Sequence, residues 1–237
     1  MVLVALLALA GIAGFTRLGV WQVERLFWKR ALIERVEARI HADPVAAPGP
    51  SAWPAIAEAE YTRVVVKGRF LHDREVLVQA VTERGAGSWV LTPLVTGSGF
   101  TVLVNRGFVP PERRERASRA QALPEGTVTV TGLLRLSEPG GGFLRANAPA
   151  EDRWHSRDVA AIAAARQLTQ AAPYFVDADA TPNAGGFPVG GLTVVRFSDN
   201  HLVYAATWFA LAAMLAAALV FVLRHEFRLR RAREQAH

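Results

Sequence analysis

The sequence predicts an α+β membrane protein, in which two transmembrane helices (N- and C-terminal) flank an exported antiparallel β-rich domain with one main helix. Three observations predict this fold class. Hydrophobic residues make up 51% of the 237 residues, which is high for a soluble domain of this length. Long uncharged runs lie near both ends of the chain. Between them, short β-branched runs alternate with turn residues, and only one clear helical pattern occurs.

Residues 1–20 are predicted to form the first transmembrane helix. Residues 1–16 carry no charge, and Arg17 can extend this short run because its side chain can reach the headgroup region. A cleaved signal peptide is the alternative, since Ala8-Leu9-Ala10 resembles a cleavage site. The lack of a basic segment before the run, together with the helical pattern after it, favours a retained anchor.

Residues 21–50 are predicted to form an amphipathic helical extension followed by a Pro-rich linker. Apolar residues recur at helical spacing over residues 20–41, and the charged residues mostly lie outside that stripe. Trp21 and Trp28 suit the aromatic belt of a membrane interface. The prolines of DPVAAPGP, residues 43–50, are expected to end the helix and stiffen the connection.

Residues 51–200 are predicted to form the exported β-rich domain. Seven runs have the length and the β-branched composition of strands, and GSG at 97–99 predicts a hairpin turn between two of them. The main helix is expected within residues 157–168. The lack of βαβ alternation favours an antiparallel sheet or a partly closed barrel with a helix attached. The seven runs are residues 61–70, 75–81, 88–95, 100–109, 127–136, 173–178 and 192–197.

Residues 201–223 are predicted to form the second transmembrane helix, and residues 224–237 a basic cytoplasmic tail. The uncharged stretch 202–223 is about 33 Å long as a helix, enough to cross a hydrocarbon core of about 30 Å. A buried helix of a soluble protein is the alternative, but such helices are shorter and less uniformly apolar. Five arginines within residues 224–233 favour a cytoplasmic location for this end. Both termini are therefore predicted to be cytoplasmic, with the β-rich domain across the membrane.

The distribution of charge argues against nucleic acid as a partner and for the lipid bilayer. The chain has a net charge of +6, but residues 30–200 contain 19 basic and 18 acidic residues. The excess positive charge therefore lies beside the membrane segments, where it is typical of topology signals. The chain has no cysteine, which excludes disulfides, thiol redox chemistry and thiolate metal carriage.

No catalytic constellation is evident, so the sequence predicts a protein that is not an enzyme. The six histidines are scattered without the spacing of a zinc or copper cluster. Nucleophile elbows, Walker loops and dinucleotide fingerprints do not occur. The acidic pairs in the loops are more typical of solvated side chains than of acid–base catalysis.

His201 is the candidate site residue because it begins the second span, where a titratable ring meets little water. Residues 199–200 supply helix-capping side chains, and Tyr204 and Trp208 share the face of His201. His201 could cap the helix or hydrogen-bond in the headgroup layer. It could instead ligate the metal of a lipophilic cofactor such as haem, because imidazole is a common nitrogen ligand. Arg17, expected near the same interface, would then pair with a propionate, although plain snorkelling also explains it.

Five segments together resemble a known family, and they occur in the same order along almost the whole chain. The resemblance is to the surfeit locus protein 1 family, which are assembly factors of haem–copper cytochrome oxidases. Phe108 stands where that family's pattern leads us to expect tryptophan. The segments are LGVWQVERLFWK (18–29), LVNRGFVP (103–110), WHSRDV (154–159), PYFVDA (173–178) and HLVYAATWFALA (201–212).

The resemblance implies a bacterial inner-membrane protein that assists the insertion of haem a into subunit I of cytochrome c oxidase. His201 matches the histidine that begins the second span of the family, for which haem ligation is expected. Tyr204, Trp208 and Trp21 would then line the porphyrin of this transiently bound cargo. Subunit I and other oxidase assembly factors are the expected partners. Two alternatives remain: a membrane scaffold that binds no haem but stabilises an oxidase assembly intermediate, and an enzyme of haem processing.

Overall fold

The computed structural model describes residues 2–142, 145–193 and 200–234, and it forms two compact units. Its helices are α1 (Val2–His41), α2 (Val159–Ala165) and α3 (His201–Glu234). One unit contains α1 up to Arg35 together with α3, and the other spans residues 36–195 and holds the sheet and α2. The predicted α+β fold class, with a long apolar helix on each side of a β-rich domain, is confirmed.

The two long helices are candidate membrane spans. The stretches Leu3–His41 and His201–Leu229 are long and apolar enough to cross a bilayer. Only 6% of the most apolar window of each is buried within the protein, whereas the core helix of a soluble domain would be mostly buried. The predicted first span and its amphipathic extension form one continuous helix, since α1 has 40 residues. Their exposed apolar surface is therefore suited to contact with lipid.

The β-rich domain is a seven-stranded sheet that closes on itself. The strand order is β1-β2-β6-β7-β5-β4-β3, and an additional pairing of β2 with β4 closes a barrel of five strands, β2, β6, β7, β5 and β4. Closure leaves these five strands without a free edge along their paired lengths. The strands are β1 (Val45–Ala46), β2 (Arg63–Phe70), β3 (Val76–Thr82), β4 (Gly85–Thr96), β5 (Thr101–Val109), β6 (Val128–Leu136) and β7 (Ala171–Ala178).

Six of the predicted strands are found close to their expected positions, and most neighbours are antiparallel, as predicted. Two pairs are parallel, namely β1 with β2 and β5 with β7. The strand β1 lies in the segment predicted to be a linker, which is therefore tied to the sheet through Val45 and Ala46. The predicted strand 192–197 cannot be compared, because residues 194–197 lie outside the described residues.

The strand β5 is buried on both faces because it separates two apolar clusters. Val102 and Val104 point into the barrel, where side chains from all five barrel strands pack together. Leu103 points the other way and packs with Trp154 and with Ile162 of α2. This explains why α2 is needed, since it covers apolar side chains on the outer face of the barrel.

Candidate functional site at the seam of the two long helices

The helices α1 and α3 pack against each other along an antiparallel seam. We define the helix seam by four pairs of neighbours, whose members run from Gly11 to Gln22 on α1 and from Leu215 back to His201 on α3. In one of these pairs two aromatic rings meet: Phe15 and Trp208 stack with their ring centroids 5.7 Å apart. The four pairs are Gly11 with Leu215, Phe15 with Trp208, Gly19 with Phe209, and Gln22 with His201.

Glycines on α1 allow this close approach. A Cβ atom at Gly11 would lie 2.7 Å from Leu215 Cδ2, and one at Gly19 would lie 2.6 Å from Phe209 Cε1. Both distances are well below ordinary van der Waals contact, so any larger residue would require the partner side chain to move. Small residues have this role in the packing of membrane helices, where dispersion contacts replace the hydrophobic effect.

His201 is half-buried at the first position of α3 and hydrogen-bonds to α1. Its Nδ1 lies 2.7 Å from Oε1 of Gln22, whose residue surface is only 9% exposed. An amide oxygen can only accept, so Nδ1 of His201 carries the hydrogen and donates it. In a neutral imidazole the lone pair is then on Nε2, and Gln22 fixes both the tautomer and the orientation of the ring.

The five residues predicted for the site occupy two different environments. His201 and the half-buried Trp208 lie in the helix seam. Tyr204 is 55% exposed, Trp21 is 46% exposed and Arg17 is exposed as well. Trp21 is rotated from Gln22 by about 100° around α1, which turns its ring away from the seam. The structure therefore brings two of the five residues together and leaves the other three on the outer surface of the helix pair.

Gln22, Phe15 and Gly19 belong to the seam and were not predicted. A signal for Gln22 was present, because a polar residue lies one helical turn before the buried Leu26. A polar side chain on the buried face of a candidate span needs a polar partner on the neighbouring helix. His201 is such a partner, and pairing the two motifs that contain them would have suggested the hydrogen bond.

Away from the seam, the β-rich domain contains a buried ion-pair cluster. Asp177 on β7 is 2% exposed and accepts hydrogen bonds from Asn105 Nδ2 (2.7 Å), Arg135 Nη1 (3.2 Å) and Arg157 Nη1 (3.1 Å). Arg157 also donates through Nε to Oε2 of Glu138, at 3.0 Å. Glu60 also pairs with Arg135, at 3.8 Å, so the cluster joins β5, β6 and β7 through charges that are already paired with one another.

The ion pairs shift the pKa values within this cluster. Burial alone would raise the pKa of Glu138, but the hydrogen bonds and positive charge of Arg157 outweigh burial and lower it. Burial would lower the pKa of Arg157, and the bonds and charges of Glu138 and Asp177 raise it. Both shifts favour the charged forms, which is typical of a stabilising cluster. Among the described residues, no group of three or more histidine, aspartate or glutamate side chains could hold a metal ion.

Comparison with known proteins shows which family has a sequence like this one. A family model described as SURF1 family matches residues 9–213, which include the β-rich domain and the paired ends of α1 and α3. The chain belongs to the SURF1 family. The match includes three of the four pairs that define the helix seam, and it includes Gly11 but not Leu215 of the fourth. The resemblance found in the five sequence segments is therefore confirmed.

Three relatives align with most of this chain. Surfeit locus protein 1 of Homo sapiens is 37% identical over 213 residues, which cover 83% of this chain and 69% of the human protein. The Xenopus tropicalis protein of the same name is 35% identical over 225 residues, which cover 88% of this chain and 71% of the Xenopus protein. A SURF1-like protein of Monosiga brevicollis is 38% identical over 221 residues, which cover 87% of this chain and 82% of the Monosiga protein.

Proposed function

We propose that the protein assists the assembly of haem–copper cytochrome oxidase by carrying haem a, with His201 as the iron ligand, for insertion into subunit I. Membership of the SURF1 family implies a role in cytochrome c oxidase assembly. The observation that supports haem carriage is the hydrogen bond of 2.7 Å from His201 to Gln22 at the start of α3. The described residues give no support to the alternative of an enzyme of haem processing.

The residues around His201 fit a haem cargo. The imidazole is oriented by an acceptor at Nδ1, the arrangement that most metal-ligating histidines show. The stacked, half-buried rings of Phe15 and Trp208 place apolar side chains close to it, as a porphyrin requires. A single strong ligand also suits a carrier, because its cargo has to leave.

The other predicted residues have roles consistent with their positions. Tyr204 lies about one helical turn from His201, and its exposed ring is available to a ligand that approaches from outside the helix pair. Trp21 has a comparable exposure on α1. Arg17 lies about 7.5 Å along α1 from Gln22, a distance that a snorkelling side chain can span to meet a propionate.

The proposed location is the bacterial inner membrane, with the β-rich domain in the periplasm and both termini in the cytoplasm. Two candidate spans bring both ends of the chain to the same side of the bilayer. The arginines of residues 224–233 favour the cytoplasmic side for that end. The periplasmic domain would then contact subunit I and other assembly factors.

A scaffold that binds no haem is the second candidate function, and one observation favours it. His201 already joins α3 to α1 through Gln22, so the histidine has a structural role whether or not a metal binds. In this case the protein would stabilise an oxidase assembly intermediate through its β-rich domain, and the helix seam would only anchor it.

The optical spectrum of the purified full-length protein, co-expressed with haem a biosynthesis, separates these functions. We expect the wild type to carry haem a, His201→Leu to lose or alter its bands, and His225→Leu to match the wild type. His225 is a suitable control because it lies on the same helix, stacked on Phe221, far from the seam. Equal spectra for wild type and His201→Leu, or two colourless preparations, would exclude ligation by His201 and favour the scaffold.

A further inference from the structure

The β-rich domain contains a pocket whose lining residues are separate from those of the helix seam. Its volume is about 220 Å³, and its lining includes Phe70, Arg106, Thr131, Asp179 and Asn183. These residues come from β2, β5, β6 and the segment after β7, all within the unit of residues 36–195. Pockets for drug-sized ligands are typically larger, about 300–1,000 Å³, so this pocket suits a smaller molecule.

Arg106 is the unusual residue of this pocket, because it is a nearly fully buried cation with an unused donor. Only 3% of its surface is exposed. Nη2 donates to the carbonyl oxygen of Ala122 and to Oδ1 of Asn183, and the guanidinium lies 4.9 Å from the ring centroid of Phe70. Nη1 is buried and has no hydrogen-bond partner. Both acceptors of Nη2 are therefore neutral, and the two N–H groups of Nη1 are unsatisfied.

The positive charge of Arg106 is not balanced by a direct ion pair among the described residues. The charges of Glu75 and Arg119 act on Arg106 in opposite directions, and these two side chains are buried and joined to each other at 2.8 Å. The carboxylate of Glu75 is thus committed to Arg119. Desolvation by burial lowers the pKa of Arg106 to about 10, so the group still carries its charge at neutral pH. A buried cation of this kind is costly unless an anion satisfies it.

We propose that this pocket binds a small organic acid as its carboxylate, with Arg106 as the cation that receives it. A carboxylate would accept from Nη1, which is buried without a partner, and would place a negative charge beside the guanidinium. Asp179 also lines the pocket, with its Oδ1 accepting from the backbone N–H of Thr181, and its negative charge favours a monoanion over a phosphate dianion. The apolar lining by Phe70 and Val104 suits a small hydrocarbon body.

The site is independent of haem carriage, so it can be tested without the cargo. The probe is 4-fluorobenzoate, followed by ¹⁹F NMR line broadening in a titration of the full-length protein in detergent, with protein-free micelles as the blank. We expect saturable binding to the wild type that is weakened by at least about tenfold in R106Q, since a charge-assisted hydrogen bond is lost. R113Q is the matched control, because Arg113 is an exposed arginine outside the pocket that stacks near Phe187. It should bind within about twofold of the wild type.

A second variant tests the same site independently, in case R106Q does not fold. N183D places a carboxylate where Asn183 now accepts from Arg106, so it provides the missing anion internally and should also weaken fluorobenzoate binding by at least about tenfold. Competition by unlabelled acetate, but not by equal inorganic phosphate, would support the preference for a monoanionic carboxylate. Broadening no greater than in micelles alone, or wild-type binding in N183D, would overturn the proposal.

Discussion

At the scale of single residues, the hydrogen bond between His201 and Gln22 determines which nitrogen of the imidazole carries the hydrogen. The amide oxygen of Gln22 fixes Nδ1 of His201 as a donor, which leaves Nε2 as the nitrogen with the lone pair. The proposed role of His201 as a ligand therefore involves a residue of the other helix.

Replacing Gln22 should weaken haem binding without removing the ligand. We expect Gln22→Leu to lower haem a affinity by about 10- to 100-fold, as for other partners that orient metal-bound histidines. Gln22→Glu keeps an acceptor opposite Nδ1 and should retain most of the affinity. The measurement is titration of each purified variant with haem a, followed by its optical bands. Equal affinities for Gln22→Leu and the wild type would show that Gln22 does not orient the ligand.

Glu138 makes the stability of the β-rich domain depend on pH. Its pKa is lowered in the folded protein, so it contributes stability above its unfolded value, and this contribution is lost as the pH falls through the folded value. Between about pH 6 and pH 3, the wild type should therefore lose more stability than Glu138→Gln. Thermal unfolding midpoints at each pH test this, with the exposed Glu125→Gln as a control that should follow the wild type. Parallel pH profiles for Glu138→Gln and the wild type would contradict the role of the Arg157 pair.

At the scale of elements, the packing of α1 on α3 depends on where the glycines lie. Gly11 and Gly19 face side chains of α3, whereas a Cβ atom at Gly14 would have nothing within 4 Å. Both Gly14 and Gly19 are in the interior of α1, where alanine is favoured over glycine by about 0.5–1 kcal/mol. The two positions differ only in whether the neighbouring helix occupies the space.

This difference predicts opposite effects for the same substitution. Gly14→Ala should leave the thermal midpoint of the full-length protein in detergent unchanged or slightly raised. Gly19→Ala should lower it, because the new methyl group would lie 2.6 Å from the ring of Phe209 and the helices would have to separate. Similar midpoints for both variants would mean that the ring of Phe209 moves aside at little cost.

The elements of the β-rich domain were largely predictable, with understandable exceptions. Six strands follow from β-branched runs bounded by turn residues, because such side chains fit a pleated surface locally. The two-residue strand β1 has no such pattern, and it exists because its backbone pairs with β2. The parallel pairing of β5 with β7 likewise depends on which distant strands meet, and local sequence does not contain that information.

At the scale of the whole molecule, the distribution of charge and apolar surface predicts how the chain crosses the membrane. The candidate spans expose apolar residues over most of their length, and the arginines of residues 224–233 lie at the end of the second one and directly after it. The chain contains no cysteine, so a single introduced cysteine reports on one position without background.

Labelling with a membrane-impermeant maleimide tests the orientation. In cells with a permeabilised outer membrane, Ser98→Cys, in the exposed turn between β4 and β5, should be labelled. Ala232→Cys, in the basic segment after the second span, should be labelled only after the inner membrane is disrupted. Labelling of Ala232→Cys in intact inner membranes would reverse the topology and place the β-rich domain in the cytoplasm.

The sequence by itself determined the features that arise from local patterns: two long apolar helices, the strands with their turns, and the histidine at the start of the second span. Length, charge and periodicity act on neighbouring residues, so they can be read along the chain. Only the tertiary structure decided that His201 meets Gln22, that Tyr204, Trp21 and Arg17 face outward, and that Arg106 is buried with an unused donor. Each of these depends on residues that are distant in sequence, because burial and hydrogen bonding are properties of the packed chain.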